Sequence, residues 1–113
     1  MIRGKKAYSL GDKRERLVIV HCPGCDIGHP FRVESDNPQR PSWTWNGDLD
    51  KPTFQPSMLV NQSVPESRCH SFVTDGNIRF LGDCWHDLKN QTIALPELDE
   101  DGDPITQAGA SER

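Results

Sequence analysis

Four cysteines, Cys22, Cys25, Cys69 and Cys84, restrict the fold of this 113-residue chain more than anything else in it. Only 34% of the residues are hydrophobic, and nine glycines and nine prolines interrupt the chain, so the apolar core is small. A domain with so little apolar surface is commonly reinforced by a metal or by disulfides. The start, Met1-Ile2-Arg3-Gly4-Lys5-Lys6, has charge but no apolar stretch behind it, and the longest aliphatic run, Leu17-Val18-Ile19-Val20, is far short of a signal or a membrane span. A reducing cytoplasm is therefore expected, and there paired cysteines are metal ligands more often than disulfides.

Cys22-Pro23-Gly24-Cys25 is a C-x2-C pair whose glycine lets the backbone fold tightly, so that both sulfurs face one ion. A thioredoxin-type redox pair has the same spacing but needs a helix after the first cysteine, which Gly28 and Pro30 oppose. The second half-site follows from hairpin arithmetic. Asp75-Gly76 is a favoured two-residue loop, which pairs Thr74 with Asn77, Val73 with Ile78, Ser71 with Phe80 and Cys69 with Gly82. One face of the hairpin then carries Cys69 and, if the strand continues past Gly82, Cys84 and His86. The expected site is one zinc ion per chain held by Cys22, Cys25, Cys69 and Cys84, with His86 as the alternative fourth ligand. His70 falls on the opposite face of a regular strand. His21, His29 and His70 are read as ordinary polar or half-buried histidines, His29 in a loop after the knuckle.

Between the ends no long helical periodicity and no internal repeat occur, while short β-branched and aromatic runs alternate with turn residues. Candidate strands are 17–21, 30–34, 43–46, 57–61, 69–74, 77–81 and 91–95. The expected fold is mainly β, a small antiparallel domain of two short sheets stapled by zinc. Six of the thirteen basic residues fall in 1–16, read as an exposed flexible arm; 17–98 is the zinc-binding body, and 99–113 an acidic, polar, disordered tail.

The strings Cys22 to Cys25 with His29, Trp45-Asn46-Gly47-Asp48, Pro52-Thr53-Phe54-Gln55-Pro56-Ser57, the Cys69 to Leu81 segment, Asp83-Cys84-Trp85-His86 and Gln91-Thr92 resemble a family of small phage and prophage proteins of unknown function. Many of these are labelled ammonia monooxygenase, a large membrane-bound copper enzyme, and that label does not suit a chain with no spanning segment. The resemblance covers about 17–98 and implies a phage-associated, metal-binding domain working in the bacterial host cytosol. It also implies that some members carry Ser at the position of Cys84 while keeping the His, which favours His86 as the ligand. A looser similarity is to β-tent zinc domains such as methionine-R-sulfoxide reductase and the ligand-binding domain of cereblon; zinc ribbons are the other comparable architecture. By that similarity Trp43, Trp45 and Trp85 would line a ligand pocket, although a core face in a small domain that needs bulk is the favoured reading for Trp43 and Trp45.

Three functions compete. The favoured one is a non-catalytic zinc-stabilised module that binds a host or phage protein, because the ligands suffice to close the metal site. The second is a zinc-dependent or thiol-based enzyme using Cys84, His70, His86 and Asp83 near the metal, with Asp83 or Asp87 as general base. The third, a nucleic-acid-binding ribbon, is disfavoured by a net charge of -4. The sequence leaves the oligomeric state open.

Overall fold

The computed structural model describes residues 1–40 and 42–105, which form two antiparallel sheets and one turn of 3-10 helix at Pro65–Ser67. The first sheet runs in the order β1 (Ile2–Arg3), β2 (Tyr8–Gly11), β3 (Glu15–Cys22), β4 (Ile27–Ser35). The second runs β5 (Thr44–Trp45), β6 (Phe54–Val60), β7 (Cys69–Thr74), β8 (Asn77–Phe80), β9 (Thr92–Ala94). Strands adjacent in sequence are therefore adjacent in space, as short turns between alternating runs require. No helix among the described residues is long and apolar enough to cross a membrane.

The core lies between the inner faces of the two sheets. Val18, Val20 and Cys22 alternate inward along β3, and Val73, Ile78 and Phe80 do so on β7 and β8. Phe31 of β4 and Phe54 of β6 stack across the gap with ring centroids 4.0 Å apart, so the sheets share one apolar contact layer.

The β7–β8 hairpin has the register that its Asp75-Gly76 loop predicts, with Thr74 opposite Asn77, Val73 opposite Ile78 and Ser71 opposite Phe80. Both loop residues have positive φ, 52° and 79°, as a type I′ turn demands. The expected pairing of Cys69 with Gly82 does not form. β8 ends at Phe80; Leu81 donates one last bond to the His70 carbonyl at 3.0 Å, and the Cys84 amide donates back to the Leu81 carbonyl, closing a turn over Gly82 and Asp83. Two good turn residues in succession are the physical reason.

The ends also differ from expectation. Residues 1–16 are no free arm: β1, β2 and the start of β3 lie within them, and Ala7 and Ser9 are buried. Small inward residues give no hydrophobic periodicity, so this segment reads as polar even though it pairs. In the acidic stretch Leu98 is buried, Asp99 donates its amide to the Asp103 carbonyl at 2.7 Å and Ile105 returns to Glu97, a turn stitched by backbone bonds. The remainder of the expected tail, 106–113, lies outside the described residues.

Candidate functional site

The C-x2-C pair sits in the tight connection between β3 and β4. The Asp26 amide donates to the Cys22 carbonyl at 2.8 Å, Asp26 adopts φ 58°, and the Cys25 amide donates to Cys22 Sγ at 3.3 Å, which turns the two sulfurs the same way. Glycine at position 24 leaves room for the His86 ring, because a Cβ there would lie 2.2 Å from Nε2 of His86 and would force that ring to shift. Cys69, the first residue of β7, points inward and is fully buried.

His29 is the correction to the loop position expected for it. β4 begins at Ile27 rather than at Pro30, so His29 is a strand residue opposite Val20 on the core face, 2% exposed. Pro30 does not end the strand because β4 is the edge of its sheet, where a missing amide hydrogen breaks no ladder. The sulfurs of Cys22, Cys25 and Cys69 and a ring nitrogen of His29 all lie within 4.8 Å of one another. This cluster could hold a metal ion.

Two features test the fit. Nε2 of His29 is buried with no hydrogen-bond partner, a state that normally costs about 1–3 kcal/mol and that a metal would relieve. The three thiols also crowd one another: a hydrogen bond from Cys69 holds Cys22 well below the usual thiol range, the same bond pushes Cys69 far up, and burial raises Cys25. Sulfurs so close cannot all ionise without a cation between them. Three thiolates and one imidazole are a donor set that suits zinc.

Cys84 and His86 form an overlapping group with Cys69, their ligand atoms also within 4.8 Å of one another. Their hydrogen bonds point elsewhere. The Cys84 thiol donates to the His70 carbonyl at 3.1 Å while its sulfur accepts the His70 amide at 3.3 Å, so this side chain clamps the backbone of β7. Nδ1 of His86 accepts the Leu88 amide at 3.3 Å, which leaves Nε2 protonated and facing the Cys69 sulfur at 3.5 Å. In that tautomer His86 donates to a sulfur.

On the other face of β7 stands a group that the residue-by-residue reading of the sequence did not assemble. Ser57 Oγ lies 3.0 Å from Nε2 of His70, and Nδ1 of His70 lies 3.3 Å from Oδ2 of Asp83. The strand alternation that turns Cys69 inward turns His70 outward. A bulge supplies the serine: between Phe54, opposite Val73, and Met58, opposite Ser71, β6 has three residues where β7 has one. The bulge carries Ser57 over the imidazole, as bulges beside functional sites commonly re-aim a side chain. Trp43 Nε1 donates to the Ser57 carbonyl at 3.3 Å and holds it in place. The turn after β8 brings Asp83 to the far side of the ring. The spacing of Ser57, His70 and Asp83 has no local signature, and only the paired strands reveal it. The signal that could have found it is His70 itself, outward on a strand whose neighbour follows a proline with a serine.

His21 is paired with Asp26 at 2.9 Å, in keeping with an ordinary polar histidine. Asp87 accepts Gln91 through its carbonyl and its carboxylate makes no hydrogen bond among the described residues. The tryptophans do not gather at one place. Trp43 and Trp45 pack against the core, Trp43 edge-on to Phe31 at 5.5 Å, while Trp85 is 48% exposed beside Pro23, Gly24 and His86.

Residues 1–81 match the model of a family described as bacterial ubiquitination-like system serine protease (BubE), and the chain belongs to that family. The match includes Cys22, Cys25, His29, Ser57, Cys69 and His70 and stops just before Asp83, Cys84 and His86. It gives no support to the phage origin that the motif strings imply. No curated protein and no solved structure shows a match to the chain.

Proposed function

We propose that this protein is a serine peptidase acting on a protein of a bacterial ubiquitination-like system, with Ser57 as nucleophile, His70 as general base and Asp83 as the group that orients the imidazole. The observation that carries this reading is the hydrogen-bonded series Ser57 Oγ, His70 Nε2, His70 Nδ1, Asp83 Oδ2. Asp83 accepts from Nδ1–H, which fixes the tautomer whose Nε2 takes the serine proton. As Oγ bonds to the scissile carbonyl carbon, His70 receives that proton; it then returns it to the leaving amine, and a water repeats the sequence to release the acyl group.

Within the same proposal, zinc is held by Cys22, Cys25, His29 and Cys69 and is structural. Four protein ligands close the coordination sphere, so the ion supplies a cross-link between the β3–β4 connection and β7 rather than a reactive position. Cys84, the other candidate for the fourth position, serves instead by holding the backbone of His70, and His86 by hydrogen-bonding the Cys69 sulfur. A non-catalytic binding module, favoured by the sequence, has no use for an imidazole placed between a hydroxyl and a carboxylate.

The test is reaction with an alkyl fluorophosphonate, which modifies activated serines. The wild-type protein is expected to be labelled, and Ser57→Ala and His70→Ala to be unlabelled while retaining their fold. Equal labelling of wild type and Ser57→Ala refutes the assignment.

A further inference from the structure

We infer that the free edge of β6 beside Ser57 is where the substrate docks, as an extended peptide that adds a strand to the second sheet. The inference rests on the peptidase reading above, and its observation is the direction of the backbone groups. His70 faces Leu59 across the β6–β7 pair. The His70 carbonyl accepts Leu81 and its amide donates to Cys84 Sγ, so both groups point away from β6. In an antiparallel pair, opposed residues point their groups either both toward each other or both away. The amide and carbonyl of Leu59 therefore point outward, away from β7.

Nothing described occupies them. β5 is two residues long and covers β6 only at Gln55 and Phe54, and no hydrogen bond from another described residue reaches Leu59. Ser57, two positions back along the strand, has its carbonyl taken by Trp43, so Leu59 is the first residue after the nucleophile that offers an unused outward donor and acceptor. The residue is 37% exposed. One residue of an antiparallel peptide can exchange both bonds with Leu59, which would fix the peptide's register against a nucleophile on the same strand. An extended polypeptide is the occupant because Leu59 offers an amide and a carbonyl on one edge, the pair that a single residue of an added strand takes up, and the family is one of proteases.

The experiment compares two probes on the protein purified without chelator. One is the alkyl fluorophosphonate, which has no peptide backbone; the other is a pool of tetrapeptidyl diphenyl phosphonates randomised in side chain. Leu59→Pro removes an outward amide hydrogen, a change that an edge strand tolerates, together with the leucine side chain, whose loss alone Leu59→Ala measures. It is expected to keep fluorophosphonate labelling within about twofold of wild type and to lose about tenfold in the rate with the peptidyl pool, while Leu59→Ala loses less. Because Leu59→Pro could fail to fold, wild-type protein is also treated with peptidyl pools N-methylated at one backbone position at a time. Loss at one position, with its immediate neighbours unaffected, supports the added strand. A flat N-methyl profile, or failure of every peptidyl pool while the fluorophosphonate reacts, overturns it. Absence of fluorophosphonate labelling in the wild type would instead overturn the peptidase reading itself.

Discussion

The two faces of β7 differ sharply at Cys69 and His70. Cys69 turns inward, fully buried, to a crowd of sulfurs and an unpartnered imidazole nitrogen; His70, the next residue, turns outward to a hydroxyl and an exposed carboxylate. The inward side is closed and suits a cross-link. The outward side is open and suits chemistry on a large substrate. They are consecutive residues of one strand, so under the proposed function the buried cluster would fix the position of the reactive imidazole without taking part in its reaction.

The largest effect expected from breaking this arrangement is on the inward side. Chelation, or Cys69→Ser, should remove a cross-link worth about 10 kcal/mol or more, on the scale of the whole stability of such a domain, and circular dichroism should show unfolding. His29→Ala should weaken metal retention strongly, and an unchanged metal content in that variant would return the fourth position to Cys84 or His86. On the outward side, Ser57→Ala should abolish hydrolysis and Asp83→Asn should lower kcat about 10⁴-fold, both with thermal unfolding close to wild type. A Ser57→Ala protein that unfolds as easily as Cys69→Ser would erase the distinction between the two faces.

A smaller effect sharpens the contrast, because Cys84 joins the two sides. Cys84→Ala deletes both hydrogen bonds to the His70 backbone and should cost about 2 kcal/mol of stability and about tenfold in kcat, with metal content unchanged. Cys84→Ser keeps a donor and an acceptor and should recover most of the rate. Loss of metal in either variant, measured by elemental analysis, would show that Cys84 is a ligand after all. An effect confined to stability is expected at Gly24→Ala, where the new methyl group meets the His86 ring and should lower stability by about 1–3 kcal/mol while leaving kcat at the outward site unchanged.

How much of this the sequence discloses follows the range of the interactions. The C-x2-C knuckle, the Asp75-Gly76 register and the opposite orientations of Cys69 and His70 are local, set by turn chemistry and strand alternation, and they read correctly from the residues. The extension of β4 back to Ile27 was hidden by Pro30, which signals a break unless the strand is known to lie at an edge. With it went His29. Ser57 was hidden more deeply, because a bulge against β7 decides which way it faces and nothing in Gln55-Pro56-Ser57 states the pairing partner. The strand argument for Cys84 as a ligand needs β8 to run past Gly82, whereas β8 ends at Phe80. The first strands carry little sequence signal, because small residues, Ala7 and Ser9, fill their inward positions.

The most direct measurement is mass-spectrometric mapping of the fluorophosphonate adduct, with metal content determined on the same sample. The account predicts one adduct per chain, on Ser57, with one zinc retained. An adduct on Cys84, or inactivation that proceeds only with loss of the metal, would contradict it.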